Sequence, residues 1–320
     1  MKEIYGLGYL LRVKKPFIEV KSEIGDYLLN PTDPIVLSGV GIVSIRALNL
    51  IKKHDGSIAF RKGFRVQYMN HPNATSGKLL VNQLLIYDDL EKSLEIARAI
   101  VNASTLNKLA ILEILHAQGT SMEEQIHSIR ELMDLQPVSV SDLRQIEARI
   151  TKQYFEGLRK VIDPKYKFEA RTRRPPRDYF SAALSYANTI LYRYVEVAVR
   201  SVGLEPRIGY LHEPFRKRPS LALDLAEQFR QPIVDSALLP AFIGKSMRLK
   251  IDFSKKGDAV YLSNTGRKRV TMLLRKKLGL KIGGIEMLKH IWIKTEEFAQ
   301  YILGLKKKFE PFTVYKYPQS

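Results

Sequence analysis

The chain has 320 residues, and 52 Lys and Arg against 33 Asp and Glu give it a formal charge of +19. The length suits two domains better than one or three, and the 45% apolar content is that of a folded chain, not a disordered one. The absence of Cys excludes disulfides, thiol nucleophiles, Cys-ligated zinc and iron–sulfur clusters.

Residues 1 to about 75 read as β-rich. Ile4 to Val13 and Phe17 to Lys21 carry strand-forming residues, and Asp33-Pro34 marks a turn before the apolar run Ile35–Leu37. Gly39-Val40-Gly41 reads as a tight strand-to-helix turn, since Ser44 stands where a dinucleotide fingerprint needs its third glycine. A short helix fits Ser44 to Lys53, and Ser57 to Tyr68 reads as one or two further strands. After the polar stretch His71 to Gly77 the pattern turns helical, with periods near 3.6 over Leu79 to His116, Ser121 to Met133, Asp142 to Ile162, Asp178 to Val202 and Ser220 to Phe229. A β-hairpin is expected around Leu249 to Val260 and a closing helix around Ile285 to Lys308, with Trp292 packing it. The predicted fold class is α+β: a small β-rich N-terminal domain, 1–75, followed by a larger all-α domain, 76–320.

The longest apolar stretch, Pro34 to Ile51, is broken by Ser38, Ser44 and Arg46, short of the ~20 residues a membrane span needs. Lys2, Glu3 and Arg12 argue against a signal peptide, so a soluble, cytoplasmic protein with no membrane partner is expected. The charge excess is uneven. From Lys245 to Lys281 there are 12 basic and 2 acidic residues, and a second cluster holds Lys165, Lys167, Arg171, Arg173, Arg174 and Arg177. Such clustering fits a polyanion, and nucleic acid before others; solvated charge on a heat-tolerant protein is the alternative.

Four residues on three segments are candidates for chemistry. Asp142 and Gln145 have the spacing of a helix N-cap and its returning partner. The stripe Leu143, Ile146, Ile150, Tyr154, Leu158 then places Glu147 on the face that should be buried. A carboxylate there needs a hydrogen-bonding partner, a basic partner or a metal. Asp224 and Glu227 share one side of the helix that Ser220 is expected to cap, a pairing that is usually surface charge. His212 falls in the loop-like stretch Gly203 to Pro214. Two or three carboxylates with one imidazole suit Mg²⁺ or Mn²⁺ better than a soft metal.

These residues also form an ordered series. Glu147-Ala148 and Tyr154-Phe155 are followed by Arg174-Pro175-Pro176-Arg177-Asp178 and Ala182-Ala183-Leu184-Ser185. Gly203-Leu204-Glu205-Pro206, Gly209-Tyr210-Leu211-His212 and Arg218-Pro219-Ser220 through Asp224-Leu225-Ala226-Glu227 complete it. The series resembles the CRISPR-associated integrases of spacer acquisition, the Cas-one family, over essentially the whole chain. Ala148, Ser181 and Tyr179-Phe180 depart from the family's usual Gly, Asn and Pro.

The resemblance implies a β-rich domain joined to a helical catalytic domain, a homodimer, and a small partner, Cas-two. By motif it implies metal ligands at Glu147, His212 and Glu227, with Asp224 beside them. The implied activity is metal-dependent attack of a DNA 3′-hydroxyl on a phosphodiester of double-stranded or branched DNA, with Mg²⁺ or Mn²⁺ as cofactor. Arg171, Arg173, Arg174 and Arg177 are the expected DNA contacts within the motif block, and Arg267, Lys268, Arg269, Arg275, Lys276 and Lys277 the outer ones. A nuclease hydrolysing branched DNA in repair and a non-catalytic basic scaffold remain as alternatives.

Overall fold

The structure, a computed structural model, describes residues 2–54, 56–62, 65–70 and 77–314. Six strands and one helix come first: β1 (Lys2–Lys14), β2 (Phe17–Lys21), β3 (Tyr27–Leu29), β4 (Ile35–Val43), α1 (Ile45–Lys53), β5 (Ile58–Lys62) and β6 (Arg65–Asn70). They form one sheet in the order β3-β2-β1-β4-β5-β6. β4 runs parallel to β1 and β5, and the other pairs are antiparallel. Across β1 and β2, Leu11 faces Val20 and Val13 faces Ile18 on the core side. The intervening pair, Arg12 and Glu19, forms an ion pair on the opposite side, as the two-residue period of a strand requires.

Gly39 to Gly41 are not a turn. They lie inside β4, opposite Gly6, Leu7 and Tyr9 of β1. A Cβ at Gly41 would sit 2.2 Å from the Tyr9 ring, so glycine is needed for that ring to cross the strand. Ser44 caps α1, accepting the Ala47 N–H.

The helical part begins with α2 (Gly77–Asp88) and α3 (Leu90–Ala117) and continues with α4 (Glu123–Met133), α5 (Val140–Val161), α6 (Tyr179–Ser201) and α7 (Ser220–Phe229). The single helix expected over Leu79 to His116 is two, because the Asp89 carboxylate accepts the Lys92 N–H and starts a new helix. α5 is capped by Ser139, not Asp142; its hydroxyl accepts the Asp142 N–H at 3.1 Å. Ser220 is likewise no cap: it opens α7 and donates its hydroxyl to the Glu213 carbonyl at 3.0 Å.

A π-helical turn, Arg230–Asp235, then leads into α8 (Ser236–Ile243). Pro232 lies inside this turn and Pro240 inside α8, residues that read in a sequence as breakers. A single helical turn, α9 (Leu249–Asp252), precedes the hairpin β7 (Phe253–Lys256) and β8 (Ala259–Leu262), which therefore starts later than expected. α10 (Asn264–Leu278) had shown only as a run of charge; its buried stripe is Gly266, Val270, Leu274 and Leu278. A short hairpin, β9 (Lys281–Ile282) and β10 (Ile285–Glu286), and α11 (Met287–Ile302) close the chain.

The fold is thus a β-rich N-terminal region followed by a helical one, each with its own core. Of the expected polar link from His71 to Gly77, residues 71–76, and with them the boundary at 75, fall outside the described residues, and Gly77 opens α2. The two regions meet where Val36 and Ala59 pack with Val197 and Trp292, so Trp292 seals this junction as well as its own helix. The Tyr194 hydroxyl also donates to Glu3 at 2.9 Å. Among the described residues no helix is long and apolar enough to cross a membrane.

Candidate active site

α7 carries two of the candidate side chains, Asp224 and Glu227. Its residues Leu221, Ala222, Leu225, Ala226 and Phe229 are apolar on every side, and the helix is buried between α3 and α6. Asp224 and Glu227 are carried inside with it, at 0% and 6% exposure, so they are not the surface pair that their spacing suggests.

Asp224 is surrounded by donors. One of its oxygens accepts the N–H groups of Tyr210 and Leu211 at 2.6 and 3.0 Å. The other accepts the His212 N–H at 2.9 Å and lies 2.6 Å from His212 Nδ1. A carboxylate with three backbone N–H partners can only accept from the imidazole, which puts the proton on Nδ1 and leaves Nε2 with its lone pair. The loop can wrap this closely because residue 209 is glycine. A Cβ there would come within 2.6 Å of the His212 carbonyl and 2.9 Å of Asp224 itself.

His212, Glu147 and Glu227 all line one cleft of about 960 Å³ between α5, α6 and α7. Glu147 is half-buried and accepts a hydrogen bond from Thr151 at 2.6 Å. Lys108 of α3 lies beneath it, almost wholly buried, with Nζ 2.9 Å from Ser104 Oγ and 3.8 Å from Glu147. Both oxygens of Glu227 accept from Arg230 at 2.8 Å, three residues on, where the π-helical turn begins. Tyr154, wholly buried, donates to Asp235 at 2.7 Å.

The electrostatics are those of a buried, compensated cluster. Burial works against the charge on Glu227, but Arg230, Lys108 and His212 outweigh it and hold the carboxyl below its ordinary value. Burial also opposes a charged His212; its hydrogen bond to Asp224 and the nearby carboxylates prevail and raise it. Lys108 goes the other way: burial lowers it despite Glu147 and Glu227. Arg171, pushed down to about 10 by burial first and then by Arg173 and Arg230, pins the start of α6 through Ser181 and Ser185.

Oxygen and imidazole donors of this kind suit a hard divalent cation, and they face one cleft. They are not drawn together as a coordination set: among the described residues no group of three or more His, Asp or Glu side chains is placed to hold a metal. Glu147 and Glu227 are instead engaged by Thr151, Lys108 and Arg230.

Of the expected DNA contacts, Arg171, Arg173 and Arg174 line the cleft, joined by Arg144, Lys217 and Arg218, which sequence reasoning did not single out. Arg177 is exposed beside them. The six cations of α10 do not line it. Arg269 lies 3.4 Å from the buried Asp252 and donates to the Ser246 carbonyl, and Arg275 stacks over Tyr5 at 4.3 Å; Arg267, Lys268 and Lys276 are exposed, and Lys277 is partly covered. Lys108 was also missed. It sits four residues from Ser104 and Leu112 on the buried stripe of α3, the test that had flagged Glu147.

Residues 6–276 match the model of the family described as CRISPR associated protein Cas1. The chain belongs to the Cas1 family. A CRISPR-associated endonuclease Cas1 of Methanothermobacter thermautotrophicus is 29% identical over 297 residues, covering 90% of this chain and 86% of its own. Among solved structures, a casposase bound to integration product superimposes with a TM-score of 0.78 at 22% identity, over 99% of this chain and 98% of that one. A chain of a partial Cas6-RT-Cas1–Cas2 complex gives 0.82 at 19% identity, over 96% and 98%. At these identities the structural likenesses establish the Cas1 fold.

Proposed function

We propose that the protein is a metal-dependent DNA integrase that inserts new spacers into a CRISPR array by attack of a DNA 3′-hydroxyl on a phosphodiester. The observation that carries this is the floor of the cleft, where two carboxylates and an imidazole aimed by a buried Asp lie among eight cationic side chains. The endonuclease relatives and the casposase bound to its integration product support the same reading.

Glu147, His212 and Glu227 would hold Mg²⁺ or Mn²⁺, which supplies polarisation of the scissile phosphate and eases ionisation of the attacking hydroxyl. Asp224 keeps Nδ1 of His212 protonated, so that Nε2 is the nitrogen offered to the cleft. Lys108 and Arg230 balance the carboxylates in the interior, and both must yield part of that contact for Glu147 and Glu227 to ligate. Arg173, Arg174, Lys217 and Arg218 hold DNA by its phosphates, which positions the strand without reading its sequence. No side chain becomes covalently attached, because the nucleophile comes from the DNA.

Joining a fragment at both of its ends needs two such sites, which favours a homodimer together with a Cas-two partner that sets their spacing. The likeness to a Cas1–Cas2 assembly agrees with that partner. Double-stranded and branched DNA are the expected substrates. The second reading, hydrolysis of branched DNA, draws on the relatives' designation as endonucleases. A branched substrate labelled in its target strand separates the two. Ester exchange is nearly balanced, so an integrase also releases the flap and reseals the strand to full length. Only nicked fragments, with either metal, would favour the hydrolase.

A further inference from the structure

The loop between His212 and α7 carries an aromatic side chain that neither the fold nor the metal site uses. Phe215 is 58% exposed, whereas most phenylalanines of the chain are core residues. It opens a tight turn in which the Arg218 N–H donates to the Phe215 carbonyl at 3.0 Å and Arg216 takes a left-handed φ of 50°. Guanidinium groups flank the ring, that of Arg216 at 5.1 Å and that of Arg218 at 6.0 Å from its centre.

The loop is tied at its base. The Glu213 carbonyl accepts from Ser220 Oγ at 3.0 Å and from Arg218, and the Glu213 carboxylate pairs with Arg144 of α5 at 2.6 Å. Phe215 is thus held on a fixed turn three residues from His212, at the rim where Lys217 and Arg218 line the cleft.

We infer that Phe215 is a stacking platform for an unpaired nucleobase of the DNA strand entering the cleft, with Arg216, Lys217 and Arg218 gripping the adjoining phosphates. An aromatic face set among cations matches a ligand that alternates flat π-surfaces with negative charge. An apolar protein partner would have to bury those cations without counter-charge. The base must be unpaired, because in a duplex both of its faces are already covered by neighbours. The inference rests on the cleft being the DNA site, but the stacking contact itself needs no metal and no chemistry.

The test uses the full chain in EDTA, with a duplex bearing a short 3′ overhang in which 2-aminopurine replaces each overhang base in turn. The wild type is expected to quench one position strongly. Phe215→Ala and Phe215→Leu should abolish that quenching, while Phe215→Trp keeps it. Overhang DNA should bind about 5- to 150-fold more weakly to the Ala variant, with blunt duplex affinity nearly unchanged. Equal quenching by wild type and Phe215→Ala at every position would overturn the inference, as would equal weakening on blunt and overhung DNA. A wild type that quenches in EDTA but never joins strands when Mg²⁺ or Mn²⁺ is supplied would instead sink the integrase reading and leave the platform standing.

Discussion

The cleft between α5, α6 and α7 and the helix α10 are both strongly basic, yet their charges do different things. At the cleft, Lys108 and Arg230 are buried against Glu147 and Glu227, so these two cations compensate carboxylates that could not otherwise be interior. On α10 only Arg269 has a buried partner, Asp252, and Arg275 is spent on the junction with the β-rich region through Tyr5 and Glu3. Arg267, Lys268 and Lys276 meet solvent. Charge density along the sequence is highest where the site is not, because a site is made by burying charge and not by accumulating it.

The sharpest way to break this contrast is at Asp224. Asp224→Ala removes the acceptor of three backbone N–H groups and the partner of His212, all in the interior. It should cost about 3–5 kcal/mol, read by denaturant unfolding, and should abolish joining. Stability within about 1 kcal/mol of wild type would show that the loop does not depend on it.

Next come the proposed ligands. Glu147→Gln, His212→Ala and Glu227→Gln should each lower strand joining at least about 100-fold, beyond the loss typical of a residue that only orients a ligand, with the folded state retained by circular dichroism. Gln is chosen at 227 because Ala would leave Arg230 buried without an acceptor. A folded His212→Ala protein that joins normally with Mn²⁺ would remove the imidazole from the site.

The two basic regions can then be weighed directly. With roughly 6–10 phosphate contacts, affinity should drop by about 10³–10⁵ between 50 and 200 mM salt. Arg173→Ala with Arg174→Ala should lower the log–log salt slope by about 1.8, one phosphate contact apiece. Arg267→Ala with Lys268→Ala and Lys276→Ala should lower it by less, about 0.9. If the α10 variant shows the larger change, DNA crosses that helix and the cleft is not the main track.

The smallest effect is one of pH. His212 is raised by its pairing with Asp224, so that pairing stabilises the fold fully below the ordinary histidine value and the gain is lost as pH rises through the raised one. The difference in thermal midpoint between wild type and His212→Ala should therefore be larger at pH about 5.5 than at about 8.5. A difference that grows with pH would reverse the assigned direction.

The class of fold, the order of strands before helices, and the residue types of the candidate site are legible in the amino-acid sequence. Those follow from local periodicity and from the motif series, which survive without knowing what packs on what. The sequence misplaced the boundaries that depend on a single polar side chain: Asp89 divides one expected helix, and Ser139 takes the cap assigned to Asp142. It also passed over the turn from Arg230 to Asp235, because Pro232 reads as an ending when neighbours are unknown. Packing alone reveals that Asp224 and Glu227 are interior, that Asp224 holds His212 by Nδ1, and that Lys108 and Arg230 answer the carboxylates. The reason is distance along the chain. Lys108, Glu147, His212 and Glu227 come from α3, α5, a loop and α7, and what a buried charge becomes is set by the partners that packing brings within a few ångströms.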